Sequence, residues 1–303
     1  MAGLRDIKRR INSVHSTQKI TRAMKMVAAS KLRRSQEAIM RARPYAFEMR
    51  ALVNSIASRA EEATHPLLRQ GNGGKIGIVV VTADRGLCGG FNANIVNGLM
   101  HHINDRFADR EVEITIVGRK GVELLKRRFD KVRATFIGVH DGPVMRAAAH
   151  IIDDIVEDFK HGDTDEVYCV YNEFKSAVQQ FVAMERLLPF KPEDSEPDAA
   201  SEEGETDEEE VALQETAQRL DYIYEPDQES VFERLLVRHI RIQMHRILYE
   251  SAASEHGARM TAMDAATRNA GEVIDRLTLK YNRARQDAIT TELIAVVSGA
   301  EAL

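Results

Sequence analysis

Several features are scarce in this sequence, and each scarcity excludes a class of protein. There is no tryptophan and only 6% of the residues are aromatic, a composition that favours a largely helical protein. The two cysteines, Cys88 and Cys169, are too few for a disulfide-stapled scaffold and indicate a reducing compartment, although the sequence leaves open whether they pair with each other. No apolar run approaches the roughly 18 residues of a membrane-spanning helix, and the chain is charged from its start at Arg5, Asp6 and Lys8. We therefore expect a soluble chain without a secretory signal or presequence.

Proline is also scarce, and it is absent from the 70 residues between Glu229 and Ser298. This stretch predicts a helix of roughly 105 Å, longer than the about 50 Å diameter of a compact globule of this chain length. Residues in its second half recur at alternating intervals of three and four, which is typical of a coiled coil and predicts a partner helix. A long helix of an ordinary bundle is the alternative. The seam residues are Met260, Met263, Thr267, Ala270, Ile274, Leu277, Tyr281, Ala284, Ala288, Thr291 and Ala295.

The start of the chain repeats the same spacing and is the expected partner. The first proline is Pro44, after which we expect a kinked helical continuation as far as Ala63. An apolar stripe is expected to continue through Ile20, Met24 and Val27. We therefore predict that the terminal helices lie antiparallel. The seam residues are Leu4, Ile7, Ile11, Val14, Gln18 and Thr21.

The middle of the chain changes from helical spacing to short apolar runs alternating with helical segments, which predicts an α/β domain with a mainly parallel sheet and one hairpin edge. The predicted strands are 76–81, 111–117, 131–137, 166–171 and 180–184, and the predicted helices are 93–107, 120–128 and 143–159. The predicted fold class is α/β, with a long antiparallel coiled coil of the N- and C-terminal helices and this domain between them. The predicted division is 1–70 for the N-terminal helix and its continuation, 71–190 for the α/β domain, 191–219 for an acidic insertion and 220–303 for the C-terminal helix.

Charge is strongly segregated along the chain. Residues 1–50 contain thirteen lysines and arginines against three acids, whereas Glu193–Glu210 contains eleven acids and no base. The basic helix lacks aromatic stacking residues and any base-reading motif, so we expect no nucleic acid partner and favour an acidic protein groove. The acidic run has too few apolar residues to form a core and predicts a disordered surface insertion, either inert or regulatory.

The glycine-rich segment Arg85–Asn92 follows a predicted strand and precedes a helix, the place where phosphate-binding loops occur. It lacks the spacing GxGxxG and the Walker lysine followed by Ser or Thr, so a structural turn is favoured over a nucleotide site. The sequence also lacks HExxH, CxxC and GxSxG motifs. We therefore expect no catalytic residue, no cofactor and no metal site.

Five segments together resemble the γ subunit of F-type ATP synthases, of bacterial type. They are TQKITRAMKMVAASKLRR at 17–34, TADRGLCGGFN at 82–92, YIYEPD at 222–227, ARMTAMDAATRNA at 258–270 and YNRARQDAITTELIAVVSGA at 281–300. The resemblance extends over nearly the whole chain, and the fold of that family agrees with the fold predicted above.

The resemblance implies a mechanical role without an active site. It implies a central rotor shaft that couples proton-driven rotation of a membrane c-ring to conformational changes at catalytic β subunits, for ATP synthesis or hydrolysis. The implied partners are three α and three β subunits, the ε subunit and the c-ring. The implied location is peripheral, on the cytoplasmic face of the bacterial inner membrane. The residues alone would favour a static coiled-coil scaffold with an α/β interaction domain, since heptads do not reveal rotation, and a nucleotide-using enzyme is the third reading.

The resemblance also implies site residues where the motifs match. Arg259 and Met24 resemble positions at which coupling is sensitive, and Met24 is expected close to the polar residues near the C-terminus. The sequence departs from the pattern of that family in two places. Ala295 stands where the family often has an acid, and the acidic insertion is lacking in compact members. The positions implied to contact β subunits are Met24, Arg259, Arg285, Gln286, Thr290 and Glu292, and those implied to contact the c-ring are Tyr222 and Glu225.

Overall fold

The computed structural model describes residues 3–57, 66–69, 74–129, 131–176, 179–191, 225 and 227–301 of the 303-residue chain. Long helices stand at both ends, and a strand-rich segment lies between them. The helices are α1 (Leu4–Ala57), α2 (Phe91–Arg106), α3 (Arg119–Leu125), α4 (Val144–His161) and α5 (Gln228–Glu301), and the strands are β1 (Lys75–Val81), β2 (Glu111–Val117), β3 (Val132–Phe136), β4 (Glu166–Phe174) and β5 (Gln180–Leu188). A short 3-10 helix, Val139–Asp141, precedes α4.

The five strands form one sheet in the order β3-β2-β1-β4-β5. β1 pairs in parallel with β2 and with β4, β2 pairs in parallel with β3, and β5 runs antiparallel to β4. This confirms the predicted α/β fold class with a mainly parallel sheet and one hairpin edge. The hairpin is longer than predicted, because both β4 and β5 extend beyond the apolar runs into residues that also carry charge, such as Glu173 and Glu185.

Alternate residues of each strand face opposite sides of the sheet, and each side has its own core. On one side, Ile76, Ile78 and Val80 of β1 pack with buried residues of α2 and α3. On the other side, Val79 and Val81 pack with α4 and with parts of α1 and α5. The sheet is therefore covered on both faces, which is why its central strands are apolar throughout.

The chain divides into two compact units, and α1 and α5 contribute to both. One unit comprises residues 31–258 and the other comprises residues 1–30 and 259–303. In the larger unit, Val53 and Ile56 of α1 and Leu236 and Ile240 of α5 belong to the core on the α4 side of the sheet. The second half of α1 and the first half of α5 are thus structural parts of the α/β unit, whereas the predicted division by composition assigned them to the terminal helices.

The smaller unit is an antiparallel helix pair, as predicted. Thr21 and Thr267 meet across it with their hydroxyl oxygens 2.7 Å apart, and the Gln18 amide donates a hydrogen bond of 3.4 Å to the carbonyl of Thr267. Lys25 donates to the carboxylate of Asp264, and this hydrogen bond lowers the pKa of Asp264. These contacts fix the register of the two helices.

The predicted seam of α1 is correct, but its predicted apolar extension is wrong at two of its three residues, since only Met24 is half-buried. Ile20 and Val27 are 58% and 57% exposed, so they lie off the seam. The buried row continues instead through Thr21, the half-buried Lys25 and the buried Ala28. Polar residues occupy seam positions here because each finds a polar partner on α5.

The structure tests the predicted helix beyond Pro44 in part, and it does not test the predicted acidic insertion. α1 continues through Pro44 to Ala57, as the predicted continuation required. The predicted end of that helix at Ala63 and the insertion from residue 192 onward lie outside the described residues.

Candidate functional site

The segment Thr82–Asp84, which directly precedes the glycine-rich segment Arg85–Asn92, forms hydrogen bonds to the neighbouring loops through its side chains. The Thr82 hydroxyl donates to the carbonyl of Val117 at 2.8 Å and accepts a hydrogen bond of 2.9 Å from the backbone N–H of Gly121. The two carboxylate oxygens of Asp84 accept 3.0 Å hydrogen bonds from the backbone N–H groups of Arg119 and Gly138. Three neighbouring loops at the carboxyl edge of the sheet are therefore joined through this segment.

Two glycines beside this segment are required by its close packing. Gly118 has φ +97°, and a Cβ placed on it would lie 2.2 Å from the carbonyl oxygen of Thr82. A Cβ on Gly121 would lie 2.6 Å from the Thr82 hydroxyl. Gly118 and Gly121 thus permit close contact between neighbouring loops.

The structure offers few features of a chemical site. Within the described ranges, no group of three or more His, Cys, Asp or Glu side chains is arranged to hold a metal ion. Cys88 and Cys169 are both buried and form no disulfide, which answers the question that the sequence left open. Burial raises the pKa of the Cys169 thiol well above its usual value, so this thiol stays protonated at neutral pH.

Among the described helices, none has a segment long and apolar enough to cross a lipid bilayer.

The polar residues near the end of α5 face solvent. Arg285, Gln286, Thr290 and Glu292 are all exposed, whereas Tyr281, Ala284 and Ala288 on the seam are half-buried. The four polar residues therefore lie on the outer surface of the helix pair. They form one exposed polar band over about two turns of helix.

Met24 does not lie close to this polar band, and the expectation that it would is wrong. Lys25 contacts Asp264, so Met24 lies beside the part of α5 around residue 264. At the helical rise, Arg285 is roughly 30 Å further along α5. Met24 and Arg259 are both half-buried, and they belong to the opposite end of the helix pair from the band.

The final turns of α5 extend past the start of α1. Thr21 lies opposite Thr267, so Leu4, seventeen residues before Thr21, lies opposite Ala284, seventeen residues after Thr267. The seam residues Thr291 and Ala295 are accordingly exposed. Five large apolar residues in these turns are 48 to 70% exposed. The predictions from sequence named only polar site residues at this end of the helix and missed these five. They are Ile289, Leu293, Ile294, Val296 and Val297.

Of the two residues expected to contact the c-ring, the structure describes only one. Tyr222 lies outside the described residues, and Glu225 is described and exposed. Asp227 begins α5, where its carboxylate accepts a 2.8 Å hydrogen bond from the backbone N–H of Ser230. Glu225 thus lies just before the N-terminus of the long helix.

Comparison with known proteins identifies the family. The family model described as ATP synthase matches residues 3–303. The chain is 45% identical over 304 residues to an ATP synthase gamma chain of Geobacter metallireducens, with 100% of this chain and 99% of that protein covered. It is 43% identical over 310 residues to an ATP synthase gamma chain of Salinibacter ruber, with the same coverage.

Solved structures show the same fold. A chain from the mitochondrial ATP synthase of Euglena gracilis (OSCP/F1/c-ring, rotational state 3) superposes with a TM-score of 0.67 at 19% identity, covering 99% of this chain and 94% of that one. A chain from the central stalk and c-ring structure of Tetrahymena thermophila mitochondrial ATP synthase gives a TM-score of 0.59 at 24% identity, covering 82% of this chain and 99% of that one. Together with the full-length matches above, these results show that the chain belongs to the ATP synthase gamma chain family.

Proposed function

We propose that this chain is the central rotor shaft of an F-type ATP synthase, coupling proton-driven rotation of a membrane c-ring to conformational changes at catalytic β subunits. In this proposal the chain performs no catalysis itself. Its partners are three α and three β subunits, the ε subunit and the c-ring. It works peripherally, at the cytoplasmic face of a bacterial inner membrane.

The observation that carries the proposal is the exposed end of α5. Its last turns have no helix of the described chain beside them, yet they carry five exposed large apolar residues between Ile289 and Val297. A run of such residues on a surface marks a contact with another protein. The proposed contact is the interior of the ring of α and β subunits, which would cover these side chains.

The polar band directly precedes this apolar end and supplies directional contacts. Arg285 and Glu292 are seven residues apart and thus face the same side of α5 over two turns. The Arg285 guanidinium can donate charge-assisted hydrogen bonds to a carboxylate on a β subunit, each contributing about 1.5 to 3 kcal/mol. Because Arg285 and Glu292 occupy one side of the helix, their contacts change from one β subunit to the next as the shaft turns.

The other proposed contacts lie along the helix pair and before α5. Met24 and Arg259 are proposed to act at a second level of the shaft, about 30 Å or more from the band. Tyr222 and Glu225 are proposed to contact the loops of the c-ring. The ε subunit is proposed to bind beside the α/β unit.

The test is the substitution Arg285→Ala in the reconstituted enzyme. The free subunit should keep its melting temperature, because an exposed arginine contributes little to stability. ATP hydrolysis or ATP-driven proton pumping in vesicles should fall. Lys126→Ala, which removes an exposed cation from the α/β unit, is the matched control and should leave pumping unchanged.

Two outcomes would contradict this assignment. If Arg285→Ala leaves hydrolysis and pumping at wild-type values, the residue makes no working contact. If instead the free subunit melts far below the wild type, the arginine has a structural role. Co-purification of the wild-type chain with α and β subunits tests the rotor proposal itself, and a solitary chain would favour a static scaffold.

A further inference from the structure

Arg246 of α5 lies between two carboxylates in the α/β unit. Its Nη2 donates to both carboxylate oxygens of Glu185 on β5, at 2.7 and 2.6 Å. Its Nη1 donates to Glu250, one turn later in α5, at 3.0 Å. The Tyr171 hydroxyl of β4 donates to Glu185 at 3.1 Å. One guanidinium therefore joins the long helix to the edge of the sheet.

These groups are partly buried. The side chains of Arg246, Glu185 and Glu250 are 36%, 24% and 14% exposed. Burial acts to lower the pKa of Arg246, but the carboxylates of Glu185 and Glu250 outweigh burial and raise it well above its ordinary value. The arginine is thus held in its charged form by partners in fixed positions.

A second ion pair holds α5 on another side. Arg241 donates from Nε to Asp153 of α4 at 2.8 Å, and both groups are more exposed than the Arg246 cluster. Arg241 and Arg246 are five residues apart, which places them about 140° apart around the helix axis. A rotation of α5 about its own axis must therefore disturb at least one of these contacts.

The apolar core beneath α5 does not provide the same constraint. Leu236, Ile240 and Ile247 are fully buried there. Apolar burial stabilises the contact strongly, but it is not directional and tolerates small rotations of one surface on another. The planar guanidinium of Arg246 bonds one carboxylate through Nη2 and another through Nη1, and this fixes both its position and its orientation.

We propose that Arg246 is a positioning residue that fixes the rotation of α5 about its own axis on the sheet, so that twist applied to the α/β unit passes into the long helix without slipping. This inference rests on the proposed function, since only a rotor carries torque. Glu185 is the partner on the sheet, and Glu250 orients the arginine from within α5. The ion pair acts through the helix, because none of these groups contacts a reacting atom.

The experiment separates positioning from stability. Arg246→Met leaves the carboxylates of Glu185 and Glu250 without their cation and should lower the melting temperature of the free subunit by roughly 5 to 15 °C. The triple variant Arg246→Met/Glu185→Leu/Glu250→Leu replaces all three charged side chains by apolar ones and should recover most of that loss. In the reconstituted complex, both variants should pump fewer protons per ATP hydrolysed than the wild type.

The triple variant is decisive. Recovery of the melting temperature without recovery of protons per ATP supports a positioning role, whereas recovery of both overturns it. Arg246→Lys, which keeps the charge and loses the planar guanidinium, is an independent test if the triple variant fails to fold, and wild-type pumping by this variant would overturn the proposal. Arg133→Met is the matched control, because its ion pair with Asp158 joins β3 to α4 rather than to α5, and it should keep the wild-type pumping ratio.

Failure of this inference is distinguishable from failure of the rotor proposal. The wild-type chain must first assemble with its partners and show ATP-driven pumping. If it does not, the proposed function is wrong. If it does and every Arg246 variant pumps normally, only the positioning role is wrong.

Discussion

His239 of α5 is a buried histidine whose environment makes the stability of the protein depend on pH. Its side chain lies in the core, with only 2% of the residue exposed, and packs edge-on against the Phe190 ring at a centroid distance of 5.4 Å. Neither ring nitrogen has a hydrogen-bond partner among the described residues. Burial first, and then the charges of Arg50 and Arg246, lower its pKa from 6.5 to about 4.

The direction and the size of the change in stability with pH follow from this pKa shift. In the unfolded chain the histidine takes up a proton near pH 6.5, whereas in the folded protein it stays neutral until about pH 4. The unfolded state therefore binds more protons in this window, so His239 contributes stability above pH 6.5 that is lost as the pH falls toward 4. Between pH 7.5 and pH 5 the loss amounts to about 2 kcal/mol.

The assay compares the wild-type subunit with His239→Leu, which has a similar volume and cannot be protonated. At pH 7.5 the variant should be at least as stable as the wild type, because it removes a buried donor and acceptor that lack partners. The free energy of unfolding of both proteins is measured with urea at each pH. The advantage of the variant over the wild type should be about 2 kcal/mol larger at pH 5 than at pH 7.5. A difference between the two proteins that stays constant across this range would refute the argument.

Two further substitutions test the packing and the insertion. Gly118→Ala should lower the free energy of unfolding, measured by urea titration, by roughly 3 kcal/mol or more, because φ is +97° and the new Cβ would lie 2.2 Å from a backbone oxygen. Gly142→Ala is the control and should have little effect, because a Cβ there meets nothing within 4 Å. Deletion of Glu193–Glu210 should leave assembly with α and β subunits intact, since this composition buries little apolar area; loss of the complex on co-purification would contradict that expectation, and a change in ATP hydrolysis alone would indicate regulation.

The sequence predicted the order of elements well because the signals were local. The apolar run of β1 and the alternation in β2 depend only on burial of successive residues, and the predicted bounds of β2 match those observed. The stripe through Ile20 and Val27 failed for a different reason. These residues have heptad spacing of their own, next to the true seam, and only pairing with α5 decides which of the two rows is covered. Thr21 and Lys25 join the seam through partners more than 200 residues away.

The exposure of single residues such as Arg285 could be predicted from the sequence, but the arrangement of these residues could not. The exposed position of Arg285 follows from its offset from the seam, whereas the distance from Met24 to Arg285 depends on the register of the two helices. Glu185 and Arg246 are 61 residues apart in the chain, and no local pattern links a charge on an edge strand to a charge on the long helix. The exposed apolar residues at the end of α5 could have been found, since they continue past the point where α1 can cover them.

The carboxyl edge of the sheet shows how backbone donors near a strand-to-helix junction can serve the fold rather than a ligand. In open α/β sheets, ligands bind at the carboxyl ends of the strands because backbone N–H groups there are available to them. Here the N–H groups of Arg119, Gly121 and Gly138 are already bonded to Asp84 and Thr82. Those donors hold neighbouring loops together, and the glycines allow the close approach that this requires. The edge of the sheet that receives ligands in other open α/β proteins thus serves here to join the loops of the α/β unit.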